Sequence, residues 1–255
     1  MRLVAPQLFA YCFTVPPVAP MQKPAPLPGR QNLPPLENGD ELPAAEFLRR
    51  YEGMPLIRKA KLVEGIVYMA SPVRAIHSRP DNLIQTWLGL YAARTPGTES
   101  HTNPTVELDA DNVSQPDSLL RLLPEYGGRM HMSREGYLCG PPELIVEVAA
   151  SSASIDARDK LRAYRRNGVR EYILWRTLDG QIDWWVLEGD EYRPNHPDAQ
   201  RLIHSQGFPG LVLAVDALLA FDGAKVLDAL QAALQSPAHQ AFRAKLQAAA
   251  EPKQS

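Results

Sequence analysis

Cysteine is nearly missing from this sequence: Cys12 and Cys139 are the two in 255 residues. Two thiols make neither a disulfide framework nor a four-thiolate zinc site, which points to a reducing, cytoplasmic compartment. An excess of charge is missing as well. Lys and Arg number 27 against 29 Asp and Glu, a net charge of −2, so the chain is not a globally basic nucleic-acid coat. A local basic patch stays open. No run of about 18 apolar residues occurs, and none is expected to span a membrane. The six histidines include no pair at i, i+4, the spacing of a zinc-binding helix. No internal repeat is visible.

What is present reads as a globular chain. With 45% hydrophobic and 22% charged residues it has the composition of a folded domain, and its length suits one large domain or two small ones. Proline is abundant at the front, with ten of the 24 in the first fifty residues. Proline lacks an N–H and fixes φ, so residues 1–40 are expected to form an extended or disordered arm. The opening MRLVAPQLFAYCFTV has one basic residue and an apolar stretch interrupted by Pro6, a poor export signal. Met21 is as good a candidate start as Met1.

From residue 41 the pattern alternates between helix and strand. Leu42–Tyr51 reads as a short helix and Lys61–Ala70 as a hairpin about Glu64-Gly65. Ile76–Arg94 has helical spacing and stops at Pro96-Gly97. Pro104–Asp109 alternates like a strand, and Val113–Leu123 reads as another. Glu143–Ala149 is a short apolar run of the kind buried on both faces. Ser154–Asn167 is expected to be a helix capped by Gly168. Val169–Thr177 and Ile182–Leu187 form a hairpin about Asp179-Gly180. Phe208–Leu213 reads as a last edge strand. Beyond it lies an Ala- and Leu-rich helical stretch broken at Ser236-Pro237. The order predicts a mixed α/β domain over 41–222 and a helical tail over 223–255.

Three acids stand out. Asp117 lies in Gln115-Pro116-Asp117, where proline interrupts a ladder and aspartate commonly forms turns. Glu147 sits in Leu144-Ile-Val-Glu-Val148, and a buried carboxylate there must be paired, protonated or metal-bound. Glu64 stands at the first hairpin. Lys160, on the helix after the Glu147 strand, can fold back toward the carboxylates. Hard oxygen ligands with a lysine suit Mg²⁺ or Mn²⁺ and phosphodiester hydrolysis. Each residue alone also has an ordinary reading as a turn former or a solvated charge.

Taken in order, further motifs carry a resemblance. Leu62-Val-Glu-Gly-Ile-Val-Tyr-Met-Ala-Ser-Pro72, His77, Gln115-Pro-Asp117 and Gly140-Pro-Pro-Glu-Leu-Ile-Val-Glu-Val148 precede Asp156, Lys160, Tyr164 and Gly168-Val-Arg-Glu-Tyr-Ile-Leu174. Phe208-Pro-Gly-Leu211 and Ser236-Pro-Ala-His239 follow. From about Glu64 to Phe242 the sequence resembles the Uma-two family of restriction-endonuclease-like proteins, within the PD-(D/E)xK nuclease superfamily. The resemblance implies an α/β fold, a mixed sheet flanked by helices. It implies Asp117 and Glu147 as the acids holding Mg²⁺ or Mn²⁺, Glu64 as a supporting acid, and DNA as substrate. The superfamily pattern asks for lysine two residues after the second acid, where this chain has Ala149. Lys160 is the natural replacement.

A basic stripe adds a binding surface. Arg158, Arg162, Arg165 and Arg166 recur at helical spacing and suit phosphates. Two readings follow: a metal-dependent endonuclease, or the same fold with a decayed site serving as a nucleic-acid- or protein-binding module. A homodimer suits cutting both strands, and no interface declares itself in the sequence.

Overall fold

Gln115, Pro116 and Asp117 divide what the sequence reads as one strand. The computed structural model describes residues 33–54, 59–69, 75–149 and 155–250, with the side chains of 75–77, 155–158 and 250 outside that description. Residues 1–32 of the expected arm, including both candidate starts, lie outside it too. Helix α1 (Ala44–Glu52) leads into the hairpin β1 (Ala60–Val63) and β2 (Ile66–Met69). The long α2 (Ala75–Arg94) precedes β3 (Thr98–Thr102), β4 (Val106–Asp109), β5 (Asn112–Ser114) and β6 (Ser118–Leu122). Short strands β7 (His131–Met132) and β8 (Leu138–Cys139) come before β9 (Leu144–Ala149), α3 (Ile155–Arg166) and β10 (Glu171–Arg176). Next are β11 (Gln181–Glu188), β12 (Glu191–Pro194), β13 (Leu202–His204) and β14 (Val212–Ala214). Helices α4 (Val215–Leu219), α5 (Gly223–Ala233) and α6 (Pro237–Ala250) complete the described chain.

Among the described residues the strands form two mixed six-stranded sheets and a two-stranded one. The first sheet has the order β2-β1-β5-β4-β8-β7, the second β12-β11-β10-β9-β6-β3. So β5 and β6 belong to different sheets, and the single strand expected over 113–123 is corrected to two. The cause is local: Pro116 has no N–H to donate to a ladder. The chain therefore crosses between sheets at Asp117.

Within the second sheet β9 runs parallel to β10, joined through α3, and antiparallel to β6. Alternation along β9 sends its side chains to opposite faces. Leu144, Val146 and Val148 join α2 residues Ile84, Trp87, Leu88 and Tyr91 in the largest core. Ile145 faces the other way and packs with Tyr164 of α3, Tyr172 of β10 and Val106 and Leu138 of the first sheet. Glu147 shares that second face, so it lies between the two sheets beneath α3.

Parts of both flanking segments pack into the cores. Leu36, inside the expected arm, is buried with Phe47 and Val67 because α1 and the first hairpin need an apolar cover. Val226, Leu230 and Leu246 of the expected tail are buried in the largest core. One buried acid is structural. Glu171 at the start of β10 accepts bonds from Ser205 Oγ (2.6 Å), Gly207 N (2.6 Å) and Trp184 Nε1 (2.7 Å). No helix among the described residues is long and apolar enough to cross a membrane.

Candidate active site

Glu147 is the charged residue on an otherwise apolar strand and is 5% exposed. Two donors meet its Oε1 from α3. Lys160 Nζ lies 2.8 Å away and the Tyr164 hydroxyl donates at 2.7 Å. Positions 160 and 164 are about one helical turn apart, so both side chains leave the same face. The Tyr164 oxygen also bonds Ser114 Oγ on β5 at 2.7 Å, which ties the first sheet into the same network. Burial first, and then the Glu147 charge, push the Tyr164 phenol well above its ordinary pKa. It stays a donor at any working pH.

Asp117 enters from the crossover. Its Oδ2 accepts from Val148 N at 2.9 Å, and its Oδ1 lies 3.0 Å from Lys59 Nζ. The same Lys59 ammonium donates to Asn103 Oδ1 at 2.7 Å. Ser118 pairs with Val146, and one more step along that register sets Asp117 beside Glu147. Three residues singled out in the sequence, Asp117, Glu147 and Lys160, are thus gathered at one point.

The other expected site residues stand elsewhere. Glu64 occupies the β1–β2 turn with φ 51°, and its carboxylate lies 2.8 Å from Arg166 Nη1. Arg166 also reaches Asp109 Oδ2 at 3.0 Å. Glu64 thus anchors the last turn of α3 rather than meeting Asp117 or Glu147. Along that helix Arg162 pairs with Asp159 at 2.6 Å and Arg165 with Glu191 at 2.7 Å. These arginines are 39–68% exposed, and surface pairs contribute only about 0–1 kcal/mol each, so a phosphate can replace a carboxylate. The side chains of Arg158 and His77 lie outside the described residues. Trp184 is buried edge-on to Trp87, a packing role.

The sequence assigns no role to three contributors, although Tyr164 stands among its motifs. Tyr164 was legible as the i+4 neighbour of Lys160. Lys59 and Asp81 carried no signal, since each comes from an element remote in sequence. Asp81 is half-buried on α2, and its Oδ1 is shielded from solvent without a hydrogen-bond partner. Burial first, and then the charge of Asp117, push its carboxyl up to about 6, with Glu147 adding to the rise. A hydrogen bond from Gln85 and the charge of Lys59 act in the opposite direction.

That shift has a direction. The folded carboxyl holds its proton more tightly than the unfolded one, whose ordinary value is 3.8. The contribution to stability is therefore greatest below pH 3.8 and is lost as pH rises through about 6. A rise from 3.8 to about 6 corresponds to about 3 kcal/mol, which half-exposure reduces to about 1 kcal/mol. Asp81→Asn is expected to be more stable than wild type by that amount at pH 8 and equal to it at pH 3.5. Urea unfolding at the two pH values checks it, and a variant destabilised at pH 8 contradicts it.

The donor set suits a hard divalent cation. Asp81, Asp117 and Glu147 offer carboxylate oxygens, and the shielded Asp81 Oδ1 is an acceptor that a proton, a water or a cation can satisfy. Among the described residues no group of three His, Cys, Asp or Glu side chains is placed to hold a metal ion together, so a cation here would rest on two carboxylates and on water. Lys59 and Lys160 instead neutralise Asp117 and Glu147.

Comparison with known proteins agrees with this architecture. The chain is similar to the crystal structure of "a putative nuclease belonging to DUF820 from Anabaena variabilis ATCC 29413". The TM-score is 0.52 at 11% identity, over 64% of this chain and 90% of that one. That likeness is one of fold, a mixed α/β nuclease-like architecture. No curated protein matches the chain. Residues 44–216 match the family model Uma2, described as "Putative restriction endonuclease". They include the hairpin, the crossover at Asp117, β9 with Glu147, and α3 with Lys160. By that match, over more than half its length, the chain belongs to the Uma2 family.

Proposed function

We propose that this chain is a metal-dependent endonuclease that hydrolyses phosphodiester bonds in DNA. The observation that carries the reading is the convergence of Asp117, Glu147 and Lys160 from the crossover, β9 and α3. Asp117 and Glu147 would hold Mg²⁺ or Mn²⁺. A divalent cation there supplies neutralisation of the phosphate charge and acidification of water. Lys160 and Tyr164 fix the Glu147 carboxylate through Oε1. The Lys160 ammonium then stands where it orients the attacking water. Glu64 acts at a distance, holding the end of α3 through Arg166. The exposed arginines Arg162 and Arg165 grip the backbone phosphates by exchanging carboxylate partners, with Arg158 a further basic position on the same helix and Arg166 kept as the anchor.

A second reading keeps the fold and drops the chemistry. It draws on the pairing of both site carboxylates with lysines, a neutral arrangement that needs no cation. Ala149 at the position where the superfamily pattern has lysine favours it too.

Supercoiled plasmid incubated with Mn²⁺, with Mg²⁺ and with EDTA separates the two. Wild type is expected to nick only with metal. Asp117→Asn and Glu147→Gln are each expected to lose about 100-fold or more, the scale for removing one charged group from a transition state. Saturating Mn²⁺ is expected to raise the melting temperature of wild type and not of Glu147→Gln. Salt-sensitive DNA binding without metal-dependent cutting or metal-dependent stabilisation moves the assignment to a binding module.

A further inference from the structure

The site holds two lysines, and they differ in freedom. Lys160 is 9% exposed and its partner Glu147 is 6% exposed. Glu147 also takes the Tyr164 hydroxyl on the same oxygen. If Lys160 swung out to meet a substrate, it would strand a buried carboxylate, so it is held where it is. Lys59 is 31% exposed and Asp117 is 20% exposed. That pair opens to solvent and is weak enough to exchange.

Further observations give Lys59 a direction. It lies just ahead of β1, at the rim where Asp117 crosses between sheets. Its second partner, Asn103 Oδ1, is an uncharged acceptor 2.7 Å away. Asn103 is itself fixed, with φ 48° and its N–H bonded to the Asp117 carbonyl at 3.0 Å. A cation that takes Asp117 Oδ1 therefore displaces Lys59 from one partner and leaves it moored by the other. The ammonium then stays at the site with its charge unspent. An incoming phosphate meets Asp81, Asp117 and Glu147, three negative groups, and needs such a cation beside them. Lys59 also lies close enough for its charge to act on Asp81.

Resting on the endonuclease reading, we infer that Lys59 is the lysine that meets the scissile phosphate, while Lys160 fixes Glu147 and orients the water beside it. Position 149 is then dispensable because two residues share the work of one. With a cation held by Asp117, Lys59 would keep Asn103 and be free to donate to a phosphate oxygen.

The test compares wild type, Lys59→Met, Lys59→Arg and Glu147→Gln on three readouts. These are Mn²⁺ affinity by calorimetry without DNA, affinity for a fluorescent duplex across a salt series, and plasmid cleavage with Mn²⁺. Melting temperatures establish that each variant is folded. Lys59→Met is expected to bind Mn²⁺ at least as tightly as wild type, because the competitor for Asp117 is gone. Its duplex affinity is expected to be weaker, with a salt slope shallower by about one ion, and its cleavage about 100-fold slower. Lys59→Arg is expected to recover most of the duplex affinity. Cleavage by Lys59→Met within about threefold of wild type overturns the role, as does Mn²⁺ binding that weakens together with cleavage; removing one charge at the reaction centre costs far more than threefold and does not weaken the metal. If wild type cuts and Glu147→Gln does not, such a result removes Lys59 alone. A wild type that neither binds Mn²⁺ nor cuts overturns both the role and the reading beneath it.

Discussion

Lys160→Met is expected to lower the stability of the folded chain by about 3–5 kcal/mol, the range for leaving one member of a buried ion pair uncompensated. Glu147 would keep the Tyr164 hydroxyl as donor on Oε1, which is too little for a carboxylate this far from water. For a protein of this size each kcal/mol moves the melting temperature by about 2–4 °C, so a fall of about 6 °C or more is expected. Lys160→Met combined with Glu147→Gln is expected to regain most of the loss, since the amide carries no charge and still accepts from Tyr164. Urea titration of the four proteins gives the coupling energy directly. A double variant as unstable as the sum of the singles would mean that the two side chains do not act as a pair.

Glu171→Ala should be comparably damaging for a different reason. The carboxylate gathers Ser205 Oγ, Gly207 N and Trp184 Nε1 at 2.6–2.7 Å, pinning the loop after β13 and the strand β11 onto β10. Removing it leaves three buried or half-buried donors without an acceptor, each costing about 1–3 kcal/mol, with a combined loss of about 3 kcal/mol or more. Glu171→Gln retains one acceptor oxygen and is expected to lose about half as much. Chemical denaturation distinguishes the two variants, and equal losses would show that shape rather than acceptance is at stake. The strand concerned is the parallel neighbour of β9, so plasmid cleavage by both variants should follow their folded fraction.

The two acids and the lysine were legible in the sequence because each breaks a local pattern. Glu147 is a charge in an apolar run, and Asp117 follows a proline that a strand tolerates poorly. Lys160 stands on a helix that must fold back over β9. The strand β9, the hairpins about Glu64-Gly65 and Asp179-Gly180, and the helices α2 and α3 were legible from period and turn residues. Other features depended on partners distant in the chain. The split between β5 and β6 is decided by which sheet each half joins, and periodicity says nothing of that. Strand β3, Thr-Glu-Ser-His-Thr, is polar because it lies at a sheet edge, so it sent no apolar signal. Glu64 was expected beside the other acids. The turn that the sequence located correctly points it at Arg166 instead. Lys59 and Asp81 belong to the site only because α2 and the lead into β1 both end at the crossover.

The Lys160–Glu147 contact joins a helix to a strand, where the superfamily pattern sets lysine and acid two residues apart on one strand. A strand-borne pair comes together as soon as that strand is extended, even in a chain still emerging from the ribosome. Here the pair exists only after α3 has docked on β9 and the first sheet has supplied Ser114 to Tyr164. Copies in which α3 has not docked on β9 therefore lack this contact altogether.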